Sequence, residues 1–151
     1  MLSHTRRLAA ATVATGIIAG LVGLACIHLL HWIQALAWNM HSGTLLQAVS
    51  AASPARRVGV LALAGAIGAL SWFFLFRRNQ TITSVGAAVE GTPMPPLRAV
   101  WHALTQIVIV GLGASVGREV APREMAAALA AAAADRLGLC AQDRRIIVAC
   151  G

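Results

Sequence analysis

The sequence predicts an all-α protein that crosses a membrane several times, on three observations. The chain of 151 residues is 58% hydrophobic and only 11% charged, less than half the charged share of a soluble domain. Its charges are confined to short stretches between long apolar runs, and its mean hydropathy is +0.75. Every basic residue is Arg, and the arginines gather in pairs at the ends of those runs. Such a composition excludes a disordered chain and argues against a water-soluble globule. Twelve basic against five acidic residues give a net charge of +7. A nucleic-acid binder would spread that excess over one exposed face, whereas pairs flanking apolar runs follow the membrane pattern.

No Asp, Glu, Lys or Arg occurs from Leu8 to Ala55. The apolar part of that interval, about residues 8–40, predicts a first spanning helix. It is longer than the roughly 20 residues that cross a bilayer, so it tilts, overhangs, or begins with a short helix lying on the surface. The start, Arg6-Arg7 followed by an apolar run, is too long for a signal peptide and has no clear cleavage site. Residues 41–54 are richer in Ser, Gly and Thr and read as a loop with a short turn. Residues 58–76 are free of charge and end in Arg77-Arg78, a second span. Residues 98–113 form a third.

Between the second and third spans, residues 84–92 are too short and too rich in small residues to cross, and read as a re-entrant segment. Residues 119–137, with Ala dominating from Ala126 to Ala134, read as a second re-entrant helix that begins inside the membrane. A last helix starts near residue 142 and is cut short at Gly151, in the apolar stretch Ile146-Ile147-Val148-Ala149-Cys150. That ending leads us to expect the N-terminal part of something longer.

Small residues at helical spacing, Gly16 with Gly20 and Gly113 with Gly117, suggest close helix approaches, or simply the composition. Trp32, Trp38, Trp72 and Trp101 fall near predicted helix ends, where interfacial anchors sit. With the N-terminus in the cytoplasm, Arg6, Arg7, Arg77, Arg78, Arg98, Arg136, Arg144 and Arg145 face inward and only Arg56 and Arg57 face outward. The excess of inward arginines favours this orientation.

The segment Gly113-Ala-Ser-Val-Gly117-Arg118-Glu119-Val120-Ala121-Pro122 carries the strongest functional signal. It links two apolar helices at membrane depth, where irregular backbone survives only beside a cavity and a carboxylate is a functional candidate. Pro122 suits the first turn of a new helix. That helix start aims free N–H groups and a positive dipole end at the cavity. An anion and the Glu119 carboxylate would compete for those donors, and protonation would release Glu119, so that one side chain would act as gate and proton carrier. The alternative is an ion pair between Glu119 and Arg118 or Arg123. Ser84, in Thr81-Ile-Thr-Ser84-Val-Gly86, offers a hydroxyl beside a short helix: an anion donor, or an ordinary helix cap.

Other chemistries fit less well. His28 and His31 with Cys26 lack further metal ligands. Cys26, Cys140 and Cys150 form no CxxC pair, as free buried thiols would not. Gly111-x-Gly113 is followed by no Lys-Ser/Thr, as a phosphate loop would be. No nucleophile–base arrangement marks an enzyme. No metal, cofactor or nucleic-acid partner is expected.

The order of spanning helix, Arg-Arg, Ser-containing loop, Glu90-Gly91, spanning helix, Gly117-Arg118-Glu119-Val-Ala-Pro122, Ala-rich helix and Arg144-Arg145-Ile-Ile-Val-Ala-Cys-Gly resembles the N-terminal part of the CLC family of chloride channels and proton/anion antiporters. The resemblance covers nearly the whole chain but about the first third of such a protein. It implies an incomplete first inverted repeat of the CLC-like fold, with its two re-entrant helices. Aligned on Glu90-Gly91, Ser84 falls on the family's anion-coordinating Ser. Gly117, Arg118 and Glu119 match the Gly-Arg/Lys-Glu-Gly-Pro signature, so Glu119 falls on the gating and proton-coupling glutamate, with Arg118, Glu119 and Val120 at the anion site. The departures are Thr83 and Val85 beside Ser84, Gly86-Ala87 for Ile-Pro, Val120-Ala121 for Gly-Pro with Pro122 one residue late, and the added charges Arg123 and Glu124. The implied function is transport of an anion, chloride first, by a channel or proton-coupled antiporter completed by sequence beyond residue 151. The implied partners are anion, protons, the lipid membrane and a second copy of the full-length chain. The alternative is a non-transporting membrane remnant or structural subunit.

Overall fold

The computed structural model describes residues 2–40, 43–77, 82–117 and 119–151. Among these the only regular elements are seven helices: α1 (Leu2–Trp38), α2 (Leu45–Ala51), α3 (Pro54–Phe76), α4 (Val85–Val89), α5 (Pro96–Gly111), α6 (Val120–Arg136) and α7 (Ala141–Cys150).

α1 is one unbroken helix of 37 residues, about 55 Å long, so the alternative of a separate short leading helix is not met. It stops where Asn39 takes a left-handed φ of 53°, a conformation that Asn accepts more readily than most residues. The predicted loop at residues 41–54 holds α2, a helix of seven residues. Thr44 caps it through a reciprocal pair of bonds with Gln47, a Thr-x-x-Gln capping box. α3 starts four residues before the charge-free run, because Ser53 caps its N-terminus and Pro54 fits its first turn.

Two helices are long and apolar enough to cross a membrane, Arg6–Trp38 and Pro54–Phe76. In each, only 17% of the apolar window is buried, so neither is the core helix of a soluble globule. Ile17, Leu21 and Leu24 of α1 and Leu63, Leu70 and Phe73 of α3 are exposed. The structure is thus all-helical among the described residues, with its most apolar surfaces turned outward.

The interior is organised around α6, which packs on α5, α1, α7 and α4. Alanine makes this possible. Ala127, Ala128 and Ala130 are wholly buried, and Ala126, Ala131 and Ala134 nearly so. A helix enclosed on several sides needs small side chains all round, and Ala has the highest intrinsic helix propensity. The cluster between α1, α3, α5 and α6 includes Leu30, Ile33, Ala64, Ile107, Ala121 and Met125. A second joins α4 and α5 to α6 and α7 through Ala88, Ala99, Ala128 and Val148.

Of the glycines expected at close approaches, Gly113 is one: an added Cβ there would lie 3.0 Å from Trp38 Cζ2. Added Cβ atoms at Gly16, Gly20 or Gly117 would meet nothing within 4 Å, whereas one at Gly111 would lie 2.7 Å from Ile33 Cγ2. Gly111 and Gly113 thus mark a close approach between α1 and the end of α5. Trp38 secures the same junction by donating its indole N–H to the Gly111 carbonyl at 3.3 Å.

Candidate functional site

α5 ends in a Schellman motif. The Gly113 N–H donates to Val110 O at 2.9 Å and the Ala114 N–H to Ile109 O at 3.0 Å, with Gly113 at φ +98°. This 6→1 and 5→2 pair turns the chain sharply and satisfies the last carbonyls. Residues 112–119 then lead irregularly into α6. Gly117 is exposed in this link, and Arg118 lies outside the described residues.

Glu119 is the N-cap residue of α6, and its side chain makes no capping hydrogen bond. The carboxylate is thus off the N–H groups that open α6. Among the described residues it has no ion pair either, with Arg123 or any other cation. Glu119 is exposed and stands at the edge of a cavity of about 390 Å³ that is also lined by Cys26, Ile27, Leu30 and His31 of α1, Ile107 of α5, and Pro122 of α6. Helix geometry leaves the N–H groups of Val120 and Ala121 without intrahelical partners, and Pro122 has none to leave. Val120 is exposed at the first helical position.

Ser84 caps α4: its Oγ accepts from the Ala87 N–H at 3.2 Å. Capping uses a lone pair and leaves the hydroxyl proton free, so the same group can still donate to an anion. Ser84 is exposed. α4 closes with the same hydrogen-bond pair as α5, around Gly91. Its last carbonyls are also held by α7: Arg144 Nη1 donates to Ala88 O at 3.3 Å and Arg145 Nη2 to Glu90 O at 3.5 Å. His28, His31 and Cys26 do not converge with further ligands, and among the described residues no group of three or more His, Cys, Asp or Glu gathers as a metal would require.

The sequence reading missed one cluster. Glu124, read there as an added charge, is buried in α6 and lies 2.8 Å from His102 Nδ1 of α5, both side chains being largely enclosed. Gln106, one turn on from His102, places its Nε2 3.1 Å from ring Nδ1 and 3.3 Å from ring Nε2. Beside it, Ser71 Oγ and Thr105 Oγ1 are 2.6 Å apart, and the Trp101 indole donates to Ser71 at 2.7 Å. Only the helical spacing of His102 and Gln106 hinted at this cluster, and nothing local tied either to Glu124.

A family model described as voltage gated chloride channel matches residues 64–151. That stretch runs from the middle of α3 to the last residue and contains Ser84, Glu119 and the whole of α6. No curated protein and no solved structure gave a significant match. An all-helical chain with two helices long and apolar enough to cross a membrane, matched by that family model over more than half its length, belongs to the voltage gated chloride channel family, whose members carry anions through membranes as channels or transporters.

Proposed function

We propose that this chain carries part of a chloride pathway gated by Glu119, in a channel or proton-coupled antiporter that functions as a homodimer when full-length. One observation carries the reading: Glu119, at the start of α6 and free of cap and ion pair among the described residues, is one of the residues lining a mainly apolar cavity beside the helix's first backbone N–H groups. In that position an anion gains the N–H donors and the positive helix end. Glu119, when it swings onto the same donors, excludes the anion. A proton neutralises the carboxylate and frees the site. Ser84 supplies a hydroxyl donor and Val120 a backbone N–H at the start of α6, with Arg118 assigned to the anion site by the family resemblance alone.

In this reading α1 and α3 span, and α4, α5 and α6 enter without crossing the whole core. The length of α5 bears on the depth at which it ends. Its 16 residues cover about 24 Å, less than the roughly 30 Å hydrocarbon core. The link at residues 112–119 would then sit below the membrane surface, where irregular backbone needs a cavity to line.

The test uses Glu119→Gln in the full-length protein in liposomes. Glutamine mimics the protonated side chain and carries no proton. The variant is expected to keep anion flux and to lose uphill proton movement driven by an anion gradient. A well-expressed variant that still pumps protons would remove Glu119 from the role.

A further inference from the structure

At the end of α1 away from Trp38, a groove combines apolar walls with two guanidinium groups. Arg7, Ala10, Ala11 and Ala14 of α1 line one side, at positions three and four apart and therefore on one helix face. Arg136, the last residue of α6, lines the other with Leu137 and Leu139 of the link to α7, and the cavity holds about 630 Å³. Its floor is packed: Ala11 is buried in a cluster with Ala130 and Ala134 of α6 and Ile147 of α7. Its walls are open. Ala10 and Ala14 are exposed, and Leu137 is 64% exposed. A bare Leu beside an alanine face suits hydrocarbon better than water.

The charge around the groove is positive. α1 has no acidic residue, and among the described residues neither Arg7 nor Arg136 has a hydrogen bond or ion pair. The nearby carboxylates are occupied. Asp135 receives Arg144 at 2.7 Å, and Asp143 in α7 is buried and already partnered. Arg7 is also the last charged residue before the charge-free interval that opens at Leu8. That sets it at the boundary between water and hydrocarbon, where long Arg side chains reach the headgroups.

We propose that this groove binds an anionic phospholipid, whose phosphate is held by Arg7 and Arg136 and whose acyl chain lies on Ala10, Ala14 and Leu137. A guanidinium fork takes phosphate oxygens through two N–H donors at once. The apolar face continues to Ile17, one turn beyond Ala14 and 58% exposed. From Arg7 to Ile17 the helix rises about 15 Å, half of the roughly 30 Å core, so the face is as long as one leaflet is deep. Alanine lets the chain lie close to the backbone of α1. Free phosphate gains nothing from such walls, and a zwitterionic lipid carries its own cation to compete with the arginines for the phosphate. An anionic lipid uses both halves of the groove and joins the start of α1 to the end of α6. The site is separate from Glu119 and does not rest on the gating role of that residue.

The experiment is native mass spectrometry of the full-length protein, released from detergent micelles with phosphatidylglycerol, phosphatidylcholine or inorganic phosphate added singly. Phosphatidylglycerol is expected to be retained, and phosphatidylcholine and phosphate to be lost. Arg136→Gln is expected to weaken phosphatidylglycerol binding about fivefold, and Arg7→Gln combined with Arg136→Gln about thirtyfold. Ala14→Phe keeps both charges but fills the groove, and is expected to lower retention. Arg77→Gln, which removes a charge at the end of α3, is expected to leave it unchanged. Equal retention of phosphatidylcholine, retention of phosphate that Arg136→Gln abolishes, or an Arg77→Gln variant as weak as Arg136→Gln would each overturn the proposal. So would a full-length protein that retains no phosphatidylglycerol, since a further segment of the chain would then fill the groove. Should the double variant fail to fold, Arg136→Gln and Ala14→Phe decide it.

Discussion

At the scale of single residues, the most informative pair is Ser84 and Glu119, because each has a structural duty that can be separated from a functional one. Ser84 holds the Ala87 N–H and keeps its own hydroxyl proton available. Ser84→Ala removes both, whereas Ser84→Asp retains a good cap and places a negative charge where an anion would bind. We expect Ser84→Ala to re-rank anion permeabilities, since a hydrogen bond to a charged group is worth about 1.5–3 kcal/mol. We expect Ser84→Asp to fold normally and to lose anion flux. Permeability ratios and thermal unfolding, measured on both variants, check this, and unchanged ratios in Ser84→Ala would leave Ser84 with its cap alone. Glu119 was legible in the sequence because Pro122 and the change from apolar to charged residues mark a helix start. The His102–Glu124 pair was not. Its partners are 22 positions apart, and their meeting depends on how α5 and α6 pack, which no local pattern encodes.

At the scale of elements, the helices followed from charge-free runs, but their ends followed from caps. α3 begins at Ser53-Pro54 and α2 at the Thr44 capping box, signals that hydropathy alone passes over. α4, α5 and α6 all close through the same two-bond motif at Gly91, Gly113 and Gly138. The sequence reading weighed glycine for helix packing at Gly113, where it serves both the turn, at φ +98°, and the close approach of Trp38. The Ala-rich stretch was read as a re-entrant helix, and its enclosure on several sides explains why Ala is needed at so many positions. Ala128 is wholly buried in the cluster that joins α6 to α4, α5 and α7. Ala128→Leu is therefore expected to cost about 1–3 kcal/mol through overpacking, seen as a lower unfolding temperature in detergent. A neutral result would mean that α6 has room its burial denies.

At the scale of the whole molecule, the arginine asymmetry makes a statement about topology. A reporter fused at position 78 is expected in the cytoplasm and one at position 50 outside. The reverse result would invert the proposed orientation, and with it the side from which Ser84 meets the anion. The structure also gives the two dissenting arginines another occupation. Arg56 Nε donates to Ala37 O at 2.9 Å, and Arg57 Nη2 to Ser50 O at 2.6 Å. Both tie off the carbonyl ends of α1 and α2, so their position reflects helix closure as well as sidedness. Replacing both by Gln is expected to leave the reporter pattern unchanged, since the remaining arginines still carry the bias.

The same ties have a bearing on how the protein withstands alkali. The ends of α1, α2, α3 and α4 are fastened by guanidinium groups from Arg56, Arg57, Arg98, Arg144 and Arg145, and the chain has no Lys at all. An ammonium group would shed its proton near pH 10.4, whereas a guanidinium group stays charged through any pH used to wash membranes. Washing membranes at about pH 11 therefore strips away loosely attached proteins without unfastening a single one of these joints. The chain is expected to stay in the membrane pellet with its helical circular dichroism intact, and a loss of helicity at that pH would show that something other than arginine secures the helix ends.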